Sequence, residues 1–169
     1  MKTLKTDVII PAYRPGEEFE KLLERLSAQK YPINKILVMN TEKKFWKETW
    51  EQEYPLVEVR HLTKEEFDHG GTRRQAAELS DAEILVFMTQ DAMPASSKWL
   101  QNFIDAMKSD PEIVGGFGIH YPYPDCNVID KRDLYYHFKN FGDDNTIFQI
   151  TDENRQRYKE EEGYRHLLS

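Results

Sequence analysis

Cysteine is almost missing from this 169-residue chain: Cys126 stands alone. No intrachain disulfide can form, which points to a reducing compartment. A charged, apolar, small-residue leader is also lacking, and no apolar run nears the roughly 20 residues that span a bilayer. The expectation is a cytoplasmic protein without a transmembrane segment. Positive charge is in deficit too. With 23 Lys and Arg against 30 Asp and Glu, the formal charge is −7. That excludes the basic footprint of a general nucleic-acid binder and leaves any anionic ligand in need of a local cation. There is no internal repeat and no low-complexity linker. What is present is enough apolar content, 39%, for one ordinary core.

The apolar residues fall in short runs separated by turn residues. Asp7-Val-Ile-Ile-Pro11 reads as a buried first strand ended by proline, and Pro11 to Gly16 as a loop that holds Tyr13 and Arg14 over the sheet edge. Phe19, Leu22, Leu23 and Leu26 recur at helical spacing and predict an amphipathic helix ending before Pro32. Lys35 to Met39 is the second strand, with Asn40, Thr41 and Glu42 at its end. Phe45, Trp46 and Trp50 mark a helical stretch, and Leu56 to Arg60 is a third strand. Gly70 and Gly71, followed by Thr72 and a helix-forming run, predict a flexible loop before a helix N-terminus, where free amides favour a phosphate. Arg73 and Arg74 in the first turn oppose the helix dipole, which suggests a functional reason for them.

Glu83 to Pro94 is the organising stretch. Ile84 to Met88 has no polar alternation and predicts a strand covered on both faces, opening at its carboxyl end into Thr89-Gln90-Asp91. Ligands of open α/β sheets sit outside such ends, so Asp91 is a candidate for a bound cation or a substrate hydroxyl; otherwise it caps the turn that follows. Lys98 to Met107 is a further helix. Ile113 to Ile119 suggests another strand, its glycines implying a close neighbour. Five strands and four helices give an α/β sandwich with a mostly parallel sheet. From Tyr121 the character changes. Tyr121 to Pro124 reads as a rigid turn, Asp133 to Phe141 as a short aromatic helix, Asp143 to Glu162 as a charged face or mobile segment, and Tyr164 to Ser169 as an apolar pattern without a cap.

Together, Val8-Ile-Ile-Pro-Ala-Tyr13, Phe67-Asp-His-Gly-Gly-Thr-Arg73 and Phe87-Met-Thr-Gln-Asp-Ala-Met-Pro94 resemble the N-terminal half of a family 2 glycosyltransferase, most closely the rhamnosyltransferases. The resemblance implies the GT-A fold, a Rossmann-like three-layer αβα sandwich. Residues 1–120 would be the nucleotide-sugar-binding core and 121–169 the start of the acceptor side. It implies transfer, with inversion, of a sugar such as rhamnose from a dTDP- or UDP-linked donor to a polysaccharide or lipid-linked saccharide, in bacterial polysaccharide biosynthesis. Carried over residue by residue, it puts Pro11, Ala12 and Tyr13 beside the nucleoside and Glu42 near the base or ribose. His69, Gly70 and Arg73 fall by the diphosphate or sugar, and Gln90 and Asp91 at the donor. Asp91 matches the last aspartate of the family's metal-binding Asp-x-Asp, so Mg²⁺ or Mn²⁺ is the implied cofactor.

Thr89 stands where the family usually has the first aspartate, and Arg74 where it often has asparagine. The general base that the chemistry requires has no match before Ser169; Glu160, Glu161 and Glu162 are consecutive and face different ways. The expectation is a piece of a longer enzyme that binds donor without transferring it alone, peripheral membrane association being compatible with a lipid-linked acceptor. The other reading is a non-catalytic nucleotide-binding module. Plainer roles accompany the sharper ones: Tyr13 covers the sheet edge, Glu42 starts the next helix, His69 is a solvated turn residue. Trp46, Trp50 and Trp99 read as core and Cys126 as inert.

Overall fold

Asp7-Val-Ile-Ile does form a strand, and it lies at the middle of the molecule. The computed structural model describes residues 2–141 and 146–162, arranged as two units, Met1–Lys108 and Ser109–Ser169. In the first unit β1 (Thr6–Tyr13) is flanked by β2 (Lys35–Thr41) and β4 (Ile84–Phe87), with β3 (Val57–Leu62) outside β2. All three pairings are parallel. Side chains alternate across β1, so Val8 and Ile10 enter one apolar cluster and Ile9 another.

Pro11 does not end β1; the strand continues through Tyr13. The reason lies in the alternation of hydrogen-bond partners. Thr6 O accepts from Asn34 N on the β2 side, while Lys5 O and Ile9 O accept from Ile84 N and Met88 N on the β4 side. Pro11 belongs to the β4-facing set, and β4 stops at Phe87. The missing N–H therefore has no ladder partner to lose.

Helices cover both faces of the sheet. On one side Phe19, Leu22, Leu23 and Leu26 of α1 (Glu17–Ser27), Trp50 of α2 (Trp50–Glu53), and Leu100 and Ile104 of α4 (Trp99–Lys108) pack with Val8, Ile10, Ile36 and Val38. On the other, Ala76 of α3 (His69–Glu78) meets Ile9, Leu37 and Met39. Trp46 and Trp50 are buried and Trp99 packs against the same cluster, as expected of core residues. No helix among the described residues is long and apolar enough to cross a membrane.

Several elements differ from the reading of the sequence. β4 is the edge of the described sheet, not an inner strand: Ile84, Leu85 and Val86 are only partly buried and Phe87 is 48% exposed. A run of apolar residues reports stickiness, not position in the strand order. Residues 43–53 form a single 3₁₀ turn (Lys43–Phe45) and the four-residue α2 in place of one helix. Gly70 and Gly71 are helical, inside the first turn of α3, so they are not a flexible loop, and Arg73 and Arg74 fall in its second turn. Ile113 to Ile119 is not a strand: Val114 is 99% exposed and a Cβ built on Gly115 or Gly116 meets nothing within 4 Å. The described residues thus hold four strands, not five.

The second unit carries α5 (Val128–Phe138), a 3₁₀ turn (Lys139–Phe141) and α6 (Arg155–Glu160). Asn127 caps α5 by accepting from Asp130 N at 2.9 Å. The aromatic helix therefore begins five residues before Asp133. Tyr164 to Ser169, and Asp143 to Asn145 within the charged segment, lie outside the described residues.

At the amino end of β1 the fully buried Asp7 accepts from Asn34 Nδ2 at 2.7 Å and from Ser80 Oγ at 2.5 Å. It ties the entrances of β2 and β4 to β1. Asp7→Ala removes both acceptors and is expected to destabilise the chain by about 2 kcal/mol, read from urea unfolding; a change within about 0.5 kcal/mol contradicts this role.

Candidate functional site

Because the strands run in parallel, the chain leaves each of them on the same edge of the sheet. Tyr13 pairs in register with Thr41, and the next residues, Arg14 and Glu42, are the first beyond that pairing. Both have left-handed backbones, Arg14 at φ 49° and Glu42 at φ 66°. For residues with a Cβ this conformation costs about 1–2 kcal/mol, and among the described residues no other non-glycine adopts it. Strain of this kind concentrates where a site dictates the backbone.

The ends of β1 and β4 are joined by a side chain. Gln90 Oε1 accepts from Tyr13 N at 2.7 Å and Gln90 Nε2 donates to Tyr13 O at 3.0 Å. These two bonds replace the ones a longer β4 would have given, after the gap at Pro11. Both amide functions of Gln90 are thus engaged with backbone, and the clip sets Asp91 beside the end of β1. Asp91 itself is exposed. Pro11 is half-buried and Ala12 fully buried in the core. Ala12 can offer a ligand only its backbone.

Between the ends of β2 and β3 opens a cleft of about 450 Å³ lined by Glu42, Lys44, His61, Thr63 and Lys64 among others. Glu42 is mostly buried and pairs with Lys44 at 2.8 Å and Lys64 at 3.6 Å. The Lys44 ammonium, then Lys64, hold its carboxyl below the usual carboxylate range against the opposing effect of burial. Oε2 has no hydrogen-bond partner; Lys64 stays just beyond bonding range, as an ion pair. The neighbouring Asn40 Oδ1 and Thr41 Oγ are buried and unpartnered as well. Three unsatisfied polar groups in succession at a strand end leave bonding capacity for something that is not protein.

Tyr13 is half exposed over this edge. Its ring meets Phe45 edge-on at 6.0 Å, with the Arg14 guanidinium 5.1 Å and the Lys64 ammonium 5.7 Å from its centroid. The Tyr13 hydroxyl, then Glu42, raise the Lys64 pKa. Asn40 Nδ2 donates to His61 Nδ1 at 3.1 Å and to Glu42 O at 3.3 Å, which puts the imidazole proton on Nε2. Burial, then the charge of Lys43, lowers the His61 pKa.

His69, Gly70 and Arg73 lie at the start of α3, which follows β3 on this same edge. The Asp68 carboxylate caps that helix by accepting from Gly71 N, so an acidic side chain already occupies part of the predicted anion site. Gly71 leaves room for that cap, since a Cβ there would lie 2.8 Å from Asp68 Oδ2 and push the carboxylate aside. Arg73 turns back on its own helix, Nη1 donating to His69 O at 2.7 Å. The His69 ring rests edge-on against Phe67.

The structure therefore brings Tyr13, Glu42, Gln90 and Asp91 to one edge, with Arg14 beside Tyr13 there as expected of the Pro11 to Gly16 loop, and adds Lys44, His61 and Lys64, which the sequence reading did not nominate. β3 continues to Leu62 rather than ending at Arg60; with that end point His61 and Lys64 would have fallen under the same strand-end rule that found Glu42. Among the described residues no group of three or more His, Cys, Asp or Glu is placed to cage a metal. Asp91 alone suits Mg²⁺ or Mn²⁺ held chiefly by water and phosphate oxygens.

His61 gives a pH signature. With a folded pKa below the ordinary value of about 6.5, the unfolded chain takes up the proton first. The stability from neutral His61 is complete above that value and is lost as pH falls through it. Between pH 7.5 and 5.5 the urea midpoint of the wild type is expected to drop further than that of His61→Gln. Equal drops contradict the assignment.

Comparison with known proteins sets this geometry in context. The family model for Glycosyl transferase family 2 matches residues 7–162. The O-antigen chain rhamnosyltransferase RfbN of Salmonella typhimurium (strain LT2) is 30% identical over 140 residues, 82% of this chain and 43% of that protein. A mannosyltransferase from Pyrobaculum calidifontis, solved with GDP-Man and Mn²⁺, superposes with a TM-score of 0.57 at 19% identity, covering 66% of this chain and 34% of that one. TarS of S. aureus gives 0.51 at 16% identity, over 81% and 29%. These solved structures share the GT-A sandwich. The chain spans less than half the length of each of these relatives. On the family match and the rhamnosyltransferase kinship, the chain belongs to Glycosyl transferase family 2.

Proposed function

We propose that this chain is the donor-binding part of a glycosyltransferase that moves a sugar, with inversion, from a nucleoside diphosphate sugar to a saccharide acceptor. The observation that carries the reading is the Gln90 clip, which fixes Tyr13 and Asp91 together at the edge where Glu42 opens its cleft. The cleft volume of about 450 Å³ suits a small-molecule ligand. In this reading the nucleoside lies against Tyr13 and in the Glu42 cleft, where Glu42 Oε2 and Asn40 Oδ1 accept hydrogen bonds they otherwise lack. His69, Gly70 and Arg73 face the sugar or diphosphate from the start of α3.

Asp91 is the residue that would hold a divalent ion. When bound, that ion supplies a Lewis acid that neutralises charge on the departing diphosphate. The chain's own part is orientation: Gln90 holds the Asp91 turn against β1, and the left-handed Glu42 aims its carboxyl into the cleft. Kinship to an O-antigen rhamnosyltransferase supports a deoxyhexose donor, dTDP- or UDP-linked, and a polysaccharide or lipid-linked acceptor in the bacterial cytoplasm, with peripheral contact to the membrane through such an acceptor. Residues 121–169 would begin the acceptor side, and the general base that transfer needs is not among the residues assigned to this site. A non-catalytic nucleotide-binding module is the second reading, favoured by Thr89, which leaves Asp91 as the only carboxylate of that motif.

Calorimetry with UDP and dTDP tests the donor site. Binding is expected in Mn²⁺, weakened at least about tenfold by Asp91→Ala, the loss of one charged ligand to the ion. Affinity that ignores both Mn²⁺ and that substitution contradicts the site.

A further inference from the structure

Arg14 has no place in the donor site as read from the family motifs, yet its surroundings are the most unusual on this edge. Its backbone is left-handed at φ 49°, and it follows Tyr13 as the other strained residue, Glu42, follows the Tyr13 partner Thr41. Its guanidinium stands 5.1 Å from the Tyr13 ring centroid and 4.8 Å from that of Phe45. Two aromatic rings hold it in place, by attraction between cation and π-face. Among the described residues it forms no hydrogen bond or ion pair. The Glu42 carboxylate is taken by Lys44 and Lys64.

A guanidinium has five N–H donors in a rigid fork matched to paired oxygens of phosphate or carboxylate. Here the guanidinium lies within cation–π range of two rings that stand nearly perpendicular to each other, contacts that do not use its donors. A backbone strained to put it there, on an acidic chain that must find local cations for an anion, has a simple explanation. We propose that Arg14 binds the diphosphate of the nucleotide donor directly, from the β1 end of the site, opposite the ion held at Asp91. Arg14 and Asp91 each follow one partner of the Tyr13–Gln90 clip, so the clip spaces a fixed protein cation from the acidic ion ligand. The guanidinium supplies positive charge where one carboxylate would leave a divalent ion weakly anchored. This inference rests on the donor-binding reading above.

The experiment titrates the 169-residue chain, in Mn²⁺ buffer, with dTDP and UDP and with the corresponding nucleosides, thymidine and uridine. Arg14→Gln keeps a planar group for the rings and removes the charge; Arg14→Lys keeps the charge and removes the fork. Arg14→Gln is expected to weaken the diphosphate at least about tenfold while leaving the nucleoside within about twofold, and Arg14→Lys to fall between. The gap between wild type and Arg14→Gln is expected to narrow as salt is raised. The proposal is overturned if Arg14→Gln binds the diphosphate as well as wild type does. It is equally overturned if nucleoside and diphosphate weaken together, since Arg14 would then merely prop the Tyr13 ring. In both cases the donor-binding reading survives; a wild type that binds neither dTDP nor UDP removes that reading and this inference with it.

Discussion

Parallel pairing is the constraint from which the rest follows. Strands that run the same way must be joined by crossovers, so every loop that leaves a strand end emerges on one edge. In this chain that edge receives Tyr13 and Arg14 from β1, Glu42 from β2, Lys64 from the segment after β3 and Asp91 from the segment after β4. The opposite edge is closed by Asp7, which ties three segments together through two hydrogen bonds. One end of the sheet is spent on stability and the other is left with unsatisfied groups.

The incomplete strand β4 turns that general arrangement into a specific one. Its ladder to β1 ends at Ile9 and Phe87, Pro11 leaves a gap, and the Gln90 side chain then resumes the pairing at Tyr13. A backbone ladder would have continued as flat sheet. A side-chain clip frees the following backbone to turn, and Asp91 is the residue that turns. Beside it, two left-handed residues follow the ends of β1 and β2, Arg14 against the Tyr13 and Phe45 rings and Glu42 paired with Lys44 and Lys64.

Much of this was legible in the sequence, and the reasons for the failures are physical. β1, β2 and α1 were readable because β-branched runs and helical spacing report local preference and burial together. The strand-end rule put Glu42 and Asp91 on the shared edge for the same reason. Ile84 to Met88 has the composition of a strand covered on both faces but forms a partly exposed edge, because an apolar run carries no information about strand order. Ile113 to Ile119 has strand-like composition but no partner among the described residues, and propensity without pairing makes no strand. Lys44 and Lys64 have no signal in the sequence because exposed cations are ordinary there; only their ion pairs with Glu42 single them out. Arg14 was legible as a residue over the sheet edge, but its strained backbone and ring contacts were not. Gly70 and Gly71 have loop-like composition, whereas the Asp68 cap draws them into the helix, with Gly71 leaving room for the capping carboxylate.

The direct test of the central claim is a crystal structure of this chain with Mn²⁺ and a nucleoside diphosphate sugar. The account predicts an anomalous manganese signal at the Asp91 carboxylate, the diphosphate between it and Arg14, and the nucleoside over Tyr13 at the Glu42 cleft. A nucleotide bound away from the strand ends, with Asp91 touching neither metal nor phosphate, would contradict it.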